Sequence, residues 1–168
     1  MTLTIPPLRA ALALSALVAA VALGVAFAAE IFAGLVPCAL CLLERWPYRI
    51  ALGIGLIGVL LPPRWARAAL ALLGVVVFAG ALIAAVHLGV EARWWPSPLP
   101  ECAAPRLTHG SIADQLAALP ERPAKPCDEP TYLIPGLPLS TAALNLIVAL
   151  AFSGGIATFL LRSRRSAA

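Results

Sequence analysis

The chain has 168 residues, of which 61% are hydrophobic and 12% charged, whereas ordinary soluble domains contain roughly 45–50% and about 25%. This composition excludes a soluble globular domain and indicates a membrane protein. The net charge of +4 follows the distribution expected across a membrane, so it does not indicate nucleic-acid binding.

Four segments are long and apolar enough to cross a bilayer, which takes about 20 residues. Because they are rich in alanine and leucine, they favour helices over barrel strands. They cover residues 8–29, 42–61, 66–90 and 139–161. Too few residues remain for a soluble domain. The sequence therefore predicts an all-α membrane protein with a single domain over residues 1–168, a four-transmembrane-helix bundle.

The first segment also has features of a cleaved signal peptide. Arg9 precedes the apolar run, and Ala26-Phe27-Ala28 forms a small-x-small site. However, the apolar run is longer than the roughly 7–15 residues typical of such peptides, and three more hydrophobic segments follow. We therefore expect the segment to be retained as a span.

Two loops on one side of the bundle, residues 30–41 and 91–138, are predicted between the spans. The second contains 10 of the 16 prolines, which indicates an extended loop. Within it, Ser111 is a candidate helix cap, and apolar side chains follow at i, i+4 and i+7 on one stripe: Ile112, Leu116 and Leu119. This pattern predicts a short interfacial helix in the second outer loop.

Positive residues are concentrated on the side that holds both termini. Six of them and no acid lie there, namely Arg9, Arg64, Arg67, Arg162, Arg164 and Arg165. All eight acids lie at or toward the opposite side. Because positive loops stay in the cytoplasm, the termini are predicted to be cytoplasmic and all four cysteines to face outward.

The cysteines form two groups, Cys38-Ala-Leu-Cys41 after the first span and the pair Cys102 and Cys127 in the long loop. A zinc site built from all four is disfavoured by the loop spacing and the oxidising compartment. Covalent haem would need a histidine after Cys41, where the chain has a leucine. Inert disulfide staples are an alternative, but a Cys-x-x-Cys staple closes a very small loop and contributes little stability. Thiol–disulfide exchange is favoured.

Arg45 lies four residues after Cys41, so on a helix the two side chains share a face. This neighbour and a helix start at Cys41 predict a lowered pKa for the Cys41 thiol. The alternatives are that Arg45 is a snorkelling residue at the membrane interface or that it forms an ion pair with Glu30 or Glu44. No nucleotide or flavin motif occurs, so a lipid-soluble quinone is the expected electron acceptor. His87 could donate a hydrogen bond to a quinone oxygen or pass a proton, or it could simply be a packing residue.

Taken together, these motifs resemble those of the disulfide bond formation protein B (DsbB) family. The resemblance rests on the order of four motifs along the chain. They are Glu30 before Pro37-Cys38-Ala39-Leu40-Cys41, then Glu44-Arg45, then His87-Leu88-Gly89-Val90-Glu91 before Trp94, and finally Cys102 and Cys127. It implies a bacterial inner-membrane protein-disulfide oxidoreductase that reoxidises a periplasmic thiol oxidase of the DsbA type and reduces ubiquinone or menaquinone.

The resemblance also implies a role for each site residue. Cys102 would form the mixed disulfide with the partner, and Cys127 would attack Cys38. Cys41 would then donate electrons to the quinone, and Arg45 would stabilise the negative charge. Two further residues, His87 and Glu30, resemble positions near the quinone.

Two other functions are consistent with part of the pattern. A non-catalytic scaffold could use two disulfides to hold a loop for a partner, but it has no use for Arg45 beside Cys41. A vitamin K epoxide reductase-like protein also couples a four-helix bundle to a quinone. In that family the cysteine motif nearest the quinone comes late in the chain, which is the reverse of the order here.

Overall fold

A computed structural model describes residues 7–102, 111, 125–134 and 136–165. Within these residues the regular structure is helical, and β-pairing is limited to two isolated bridges. The elements are α1 Pro7–Ala33, α2 Ala39–Leu43, α3 Arg45–Leu60, α4 Pro63–Glu91, a 3-10 turn Pro100–Cys102, and α5 Thr141–Arg165. The predicted interfacial helix that follows Ser111 lies outside the described residues.

Three of these helices, α1, α4 and α5, are long and apolar enough to cross a membrane. They correspond to the first, third and fourth predicted spans. The second predicted span, residues 42–61, is interrupted at Glu44, so α3 has only 16 residues. Pro47 explains the break, because proline has no N–H to donate to the carbonyl of Leu43 and its ring crowds that carbonyl.

The helices pack in sequence, α1 against α3, α3 against α4, and α4 against α5. Small residues allow α1 and α3 to approach closely. A Cβ added at Gly55 would lie 2.9 Å from the Cβ of Ala16, so only glycine fits there. Many large apolar side chains, such as Leu14, Ile57 and Val75, are exposed on the outside of the bundle. This surface fits a lipid environment, where apolar exposure has no cost.

The two ends of the bundle differ in character. At one end, the Leu61–Pro62 turn joins α3 to α4. There Arg67 donates hydrogen bonds to the carbonyl of Leu160 at 2.7 Å and to Oγ of Ser163 at 3.0 Å, which ties α4 to the last turns of α5. At the other end, the connections after α1 and α4 bring the cysteines together.

The α4 helix ends in a Schellman turn that directs the chain back toward the cysteines. Arg93 has a positive φ of 58°, and its N–H bonds the carbonyl of Val90 at 3.0 Å. The N–H of Trp94 bonds the carbonyl of Gly89 at 2.9 Å. The Trp95 ring lies against Gly89, where an added Cβ would sit 1.9 Å from a ring carbon. Glycine is therefore required for the turn to close in this way.

Candidate functional site

Cys38 and Cys41 form the start of α2. Cys38 is the N-cap with an extended backbone, and its Sγ accepts a hydrogen bond from the Cys41 backbone N–H at 3.2 Å. The two Sγ atoms lie 2.7 Å apart, and both thiols are free. Cys38 is buried and Cys41 is partly exposed. The pair is therefore placed for disulfide formation with little backbone movement.

The second pair lies against the first. Cys102 and Cys127 are joined in a disulfide with their Cα atoms 5.0 Å apart. Both pack in one buried cluster with Cys38, and the backbone of Cys38 also forms an isolated bridge with Lys125, two residues before Cys127. The structure thus gathers all four predicted cysteines at one end of the bundle.

The order in which the two free thiols ionise is the reverse of the prediction. The side-chain hydrogen bond from Cys41 lowers the pKa of Cys38, although burial partly opposes this effect. The same hydrogen bond, followed by burial, raises the pKa of Cys41. The predicted low-pKa thiol at Cys41 is therefore wrong for the dithiol form. The reason is that Cys38 is the N-cap of α2, so its Sγ accepts hydrogen bonds from the side chain and the backbone N–H of Cys41, which stabilise a thiolate at Cys38.

We expect this order of ionisation to appear in the pH profile of alkylation. In the dithiol form, Cys38 should be alkylated by iodoacetamide with an apparent pKa below 9.0, and Cys41 with one above it. Mass spectrometry of quenched samples would give the profile of each site. The comparison uses the midpoint of each pH profile and not the rate of alkylation, so a difference in the access of iodoacetamide to the two thiols does not affect the result.

The control for this experiment is Cys41→Ala, which removes the donating S–H. In that variant the apparent pKa of Cys38 should rise. An unchanged Cys38 midpoint, or a Cys41 midpoint below that of Cys38, would contradict the assignment.

Arg45 forms an ion pair with Glu30, one of the two alternatives that the sequence left open. Its guanidinium also lies 5.1 Å from the centre of the Phe27 ring. Arg45 is buried, and pairing with an acid and an aromatic ring makes such burial tolerable. The pair joins the first turn of α3 to the last turns of α1.

A cavity of about 580 Å³ opens between α1, α3 and α5. Its walls are mainly aliphatic, and its volume falls within the range of small-molecule sites. A few groups that are polar or can react converge on it, namely Glu30, Cys41, Glu44, Arg45, Tyr48 and Asn145. The cavity therefore offers an apolar ring-shaped ligand both a sulfur and a guanidinium.

His87 lies beside Cys38 and is not among the residues that line this cavity. Its Nε2 is 3.5 Å from the Cys38 Sγ, and its Nδ1 is 2.7 Å from Oε1 of Glu44. The hydrogen bond from His87 to a quinone oxygen therefore stays a prediction. The ring connects a thiol to a carboxylate, which is the geometry that its alternative role in proton transfer would need.

Glu44 begins a polar chain that sequence reasoning missed. Its Oε2 accepts a hydrogen bond from Nδ2 of Asn145 at 2.7 Å, and the Asn145 Oδ1 accepts one from the Tyr48 hydroxyl at 2.7 Å. Glu91, also missed, places Oε1 3.9 Å from Nε2 of His87. An acid within an otherwise apolar segment was the available signal for Glu44, and the motif from His87 to Glu91 was the available signal for Glu91. No comparable signal marked Asn145.

Comparison with known proteins adds a family assignment to this geometry. Residues 8–158 match the family described as "Disulfide bond formation protein DsbB", so the match includes all four cysteines and every helix of the bundle. No curated protein and no solved structure matches the chain.

Proposed function

The chain belongs to the disulfide bond formation protein DsbB family, and on that basis we propose that it reoxidises a periplasmic DsbA-type thiol oxidase and delivers the electrons to a membrane quinone. Family membership implies thiol oxidoreductase activity and disulfide formation. The identity of the partner, the use of a quinone and the order of the relay belong to the proposal.

One observation carries the proposal: the two sulfurs of the first pair face different surroundings. Cys38 is buried within the cluster that holds the Cys102–Cys127 disulfide, whereas Cys41 lies at the edge of that cluster and also lines the apolar cavity. A single Cys-x-x-Cys thus connects a loop disulfide to a small-molecule site. An inert staple would not need this arrangement.

In the proposed relay, a thiolate of the reduced partner attacks the Cys102 sulfur, and Cys127 leaves as a thiolate. The second partner thiol attacks the mixed disulfide, which releases the oxidised partner and the Cys102 thiolate. The Cys102–Cys127 dithiol then exchanges with a Cys38–Cys41 disulfide. Cys127 attacks Cys38 and releases Cys41, and Cys102 then attacks Cys127 and releases Cys38. Two electrons and two protons thereby reach the first pair.

The cavity residues fit a quinone. When bound, a quinone accepts two electrons and two protons as the Cys38–Cys41 disulfide forms again. Aliphatic walls would hold the ring and part of the tail, and the Arg45 guanidinium would hold negative charge at a ring oxygen. His87 would take the proton from Cys38 and pass it to Glu44, which itself lines the cavity.

The proposed location is the bacterial inner membrane, with the cysteines on the periplasmic side and both termini in the cytoplasm. The distribution of positive residues supports this orientation. A cysteine introduced at Ser163 should react with an impermeant maleimide only after the membrane is permeabilised. Labelling of intact cells at that position would reverse the orientation.

The proposal is tested by mixing the purified protein with a reduced DsbA-type protein and a ubiquinone or menaquinone analogue. We expect quinone absorbance to fall with one partner disulfide formed per quinone consumed. Omitting either the partner or the chain should abolish the change. Stable binding of the partner without any loss of quinone absorbance would favour the scaffold function instead.

A further inference from the structure

Three metal-ligating atoms converge at the free cysteine pair. The Sγ atoms of Cys38 and Cys41 and the Nε2 of His87 all lie within 4.8 Å of one another. The separation of 3.5 Å between the Cys38 sulfur and the His87 nitrogen is already close to an edge of a tetrahedral site. Cys102 and Cys127 are joined to each other, so this set differs from a four-cysteine zinc site.

The surroundings of His87 supply a second, independent observation. A histidine that binds a metal through one nitrogen usually donates its other N–H to a carboxylate, which fixes the ring and its tautomer. Here Nδ1 lies 2.7 Å from Oε1 of Glu44, and Asn145 holds the other oxygen of that carboxylate at 2.7 Å. This arrangement leaves Nε2 as the unprotonated nitrogen, and Nε2 is the atom directed at the sulfur.

An oxygen ligand is also within reach. Oε1 of Glu91 lies 3.9 Å from Nε2 of His87, and its other oxygen accepts a hydrogen bond from Ser140. Two thiolates, one imidazole and one carboxylate or water form a donor set that Zn²⁺ prefers. His87 is 2% exposed and Cys38 is 4% exposed, so a bound ion would be largely shielded from water.

We propose that the dithiol form of the protein binds one Zn²⁺ through Cys38, Cys41 and His87, with Glu91 or a water molecule as the fourth ligand. Binding displaces the thiol protons and requires the sulfurs to separate from 2.7 Å to about 3.8 Å, the tetrahedral edge for Zn–S bonds of about 2.3 Å. The bound ion occupies both sulfurs, so the disulfide cannot form until the ion leaves. The oxidised pair cannot supply two thiolates. Zinc therefore binds only the reduced pair and holds it in the dithiol state.

The test uses the full chain with the Cys38–Cys41 pair reduced, the Cys102–Cys127 disulfide intact and the reductant removed, and Co²⁺ serves as a spectroscopic probe. We expect one equivalent to bind with thiolate-to-metal charge-transfer absorption and the intense visible bands of tetrahedral cobalt. Zn²⁺ should displace it. The form with the Cys38–Cys41 disulfide should show neither set of bands. Quinone and partner are absent from this experiment, so its outcome does not depend on the proposed function.

Variants assign the ligands. His87→Ala should weaken Zn²⁺ binding by about a hundredfold, and Glu44→Gln by about tenfold through loss of ring orientation. The control is His109→Ala, which changes the only other histidine and should leave binding unchanged. A far-ultraviolet circular dichroism spectrum equal to that of the unsubstituted chain would establish that each variant is folded. Equal affinity in His87→Ala, binding by the oxidised form, or absence of charge-transfer bands would overturn the proposal.

Discussion

Replacing Cys38 with serine is expected to stop quinone reduction while the Cys102–Cys127 disulfide still captures the reduced partner. The reason is that Cys38 is buried within the cluster that holds the loop disulfide, whereas Cys41 lies at the edge of that cluster and lines the cavity. Without Cys38, Cys41 cannot form the disulfide of the first pair, so the Cys127 thiolate has no disulfide sulfur to attack. Turnover should fall by at least about a thousandfold, as when a catalytic nucleophile is removed.

Cys102→Ser is the reciprocal variant. It should form no covalent adduct with the partner, but its Cys38–Cys41 pair, once reduced by a small dithiol, should still reduce the quinone. The two variants would be compared by non-reducing gel for the adduct and by quinone absorbance for electron flow. If Cys102→Ser oxidises the partner at the normal rate, the order of the relay is wrong.

Arg45→Met is expected to reduce kcat/KM for the quinone by about a hundredfold, since a preorganised cation in a cavity shielded from water is worth about this much to developing negative charge. Arg45→Lys should lie between wild type and Arg45→Met, because it keeps the charge but loses the planar fork. The loss of activity in these variants should arise in the transfer of electrons to the quinone. The pH profile of Cys38 alkylation should not move, because the Cys41 hydrogen bond sets it.

The structure provides a matched control for this variant. Arg49 lies one turn further along α3, is exposed, and also stacks on an aromatic ring, with its guanidinium 5.3 Å from the centre of Trp46. Arg49→Met should leave quinone kinetics unchanged.

A second control separates charge from helix packing. Glu30→Gln removes the acid that pairs with Arg45 and leaves the guanidinium in the cavity wall. If Arg45→Met and Glu30→Gln lose activity equally, the ion pair acts by joining α1 to α3 and not through the quinone.

The sequence predicted the features that depend on patterns repeated over many residues. Three apolar helices, the all-helical fold and the family follow from hydropathy and from the order of the motifs. These features do not depend on the exact position of a helix end, so they can be predicted from the sequence. The grouping of the cysteines at one end of the bundle could also be predicted, because the lengths of the helices determine which loops lie on the same side.

The features that were missed depend on single residues and on contacts between distant segments. Pro47 interrupts the second segment. Separately, α2 begins after Cys38 and not at Cys41, and the hydrogen bond between the two thiols reverses the predicted order of their ionisation. Asn145 meets Glu44 although 101 positions separate them. Periodicity contains no information about such a contact, which arises only when α5 packs against the rest of the bundle.

In the proposed orientation, the short length of α3 would set the depth of the site in the bilayer. Its 16 residues span about 24 Å at 1.5 Å per residue, about 6 Å less than the hydrocarbon thickness of a typical membrane. With Leu61 at one boundary, Arg45 would lie below the opposite boundary and within reach of the acyl chains. A hydrophobic electron carrier could then enter sideways from the lipid. A soluble partner that stays in water could not descend to this level, so the proposed relay needs the Cys102–Cys127 disulfide to connect the partner with the recessed pair.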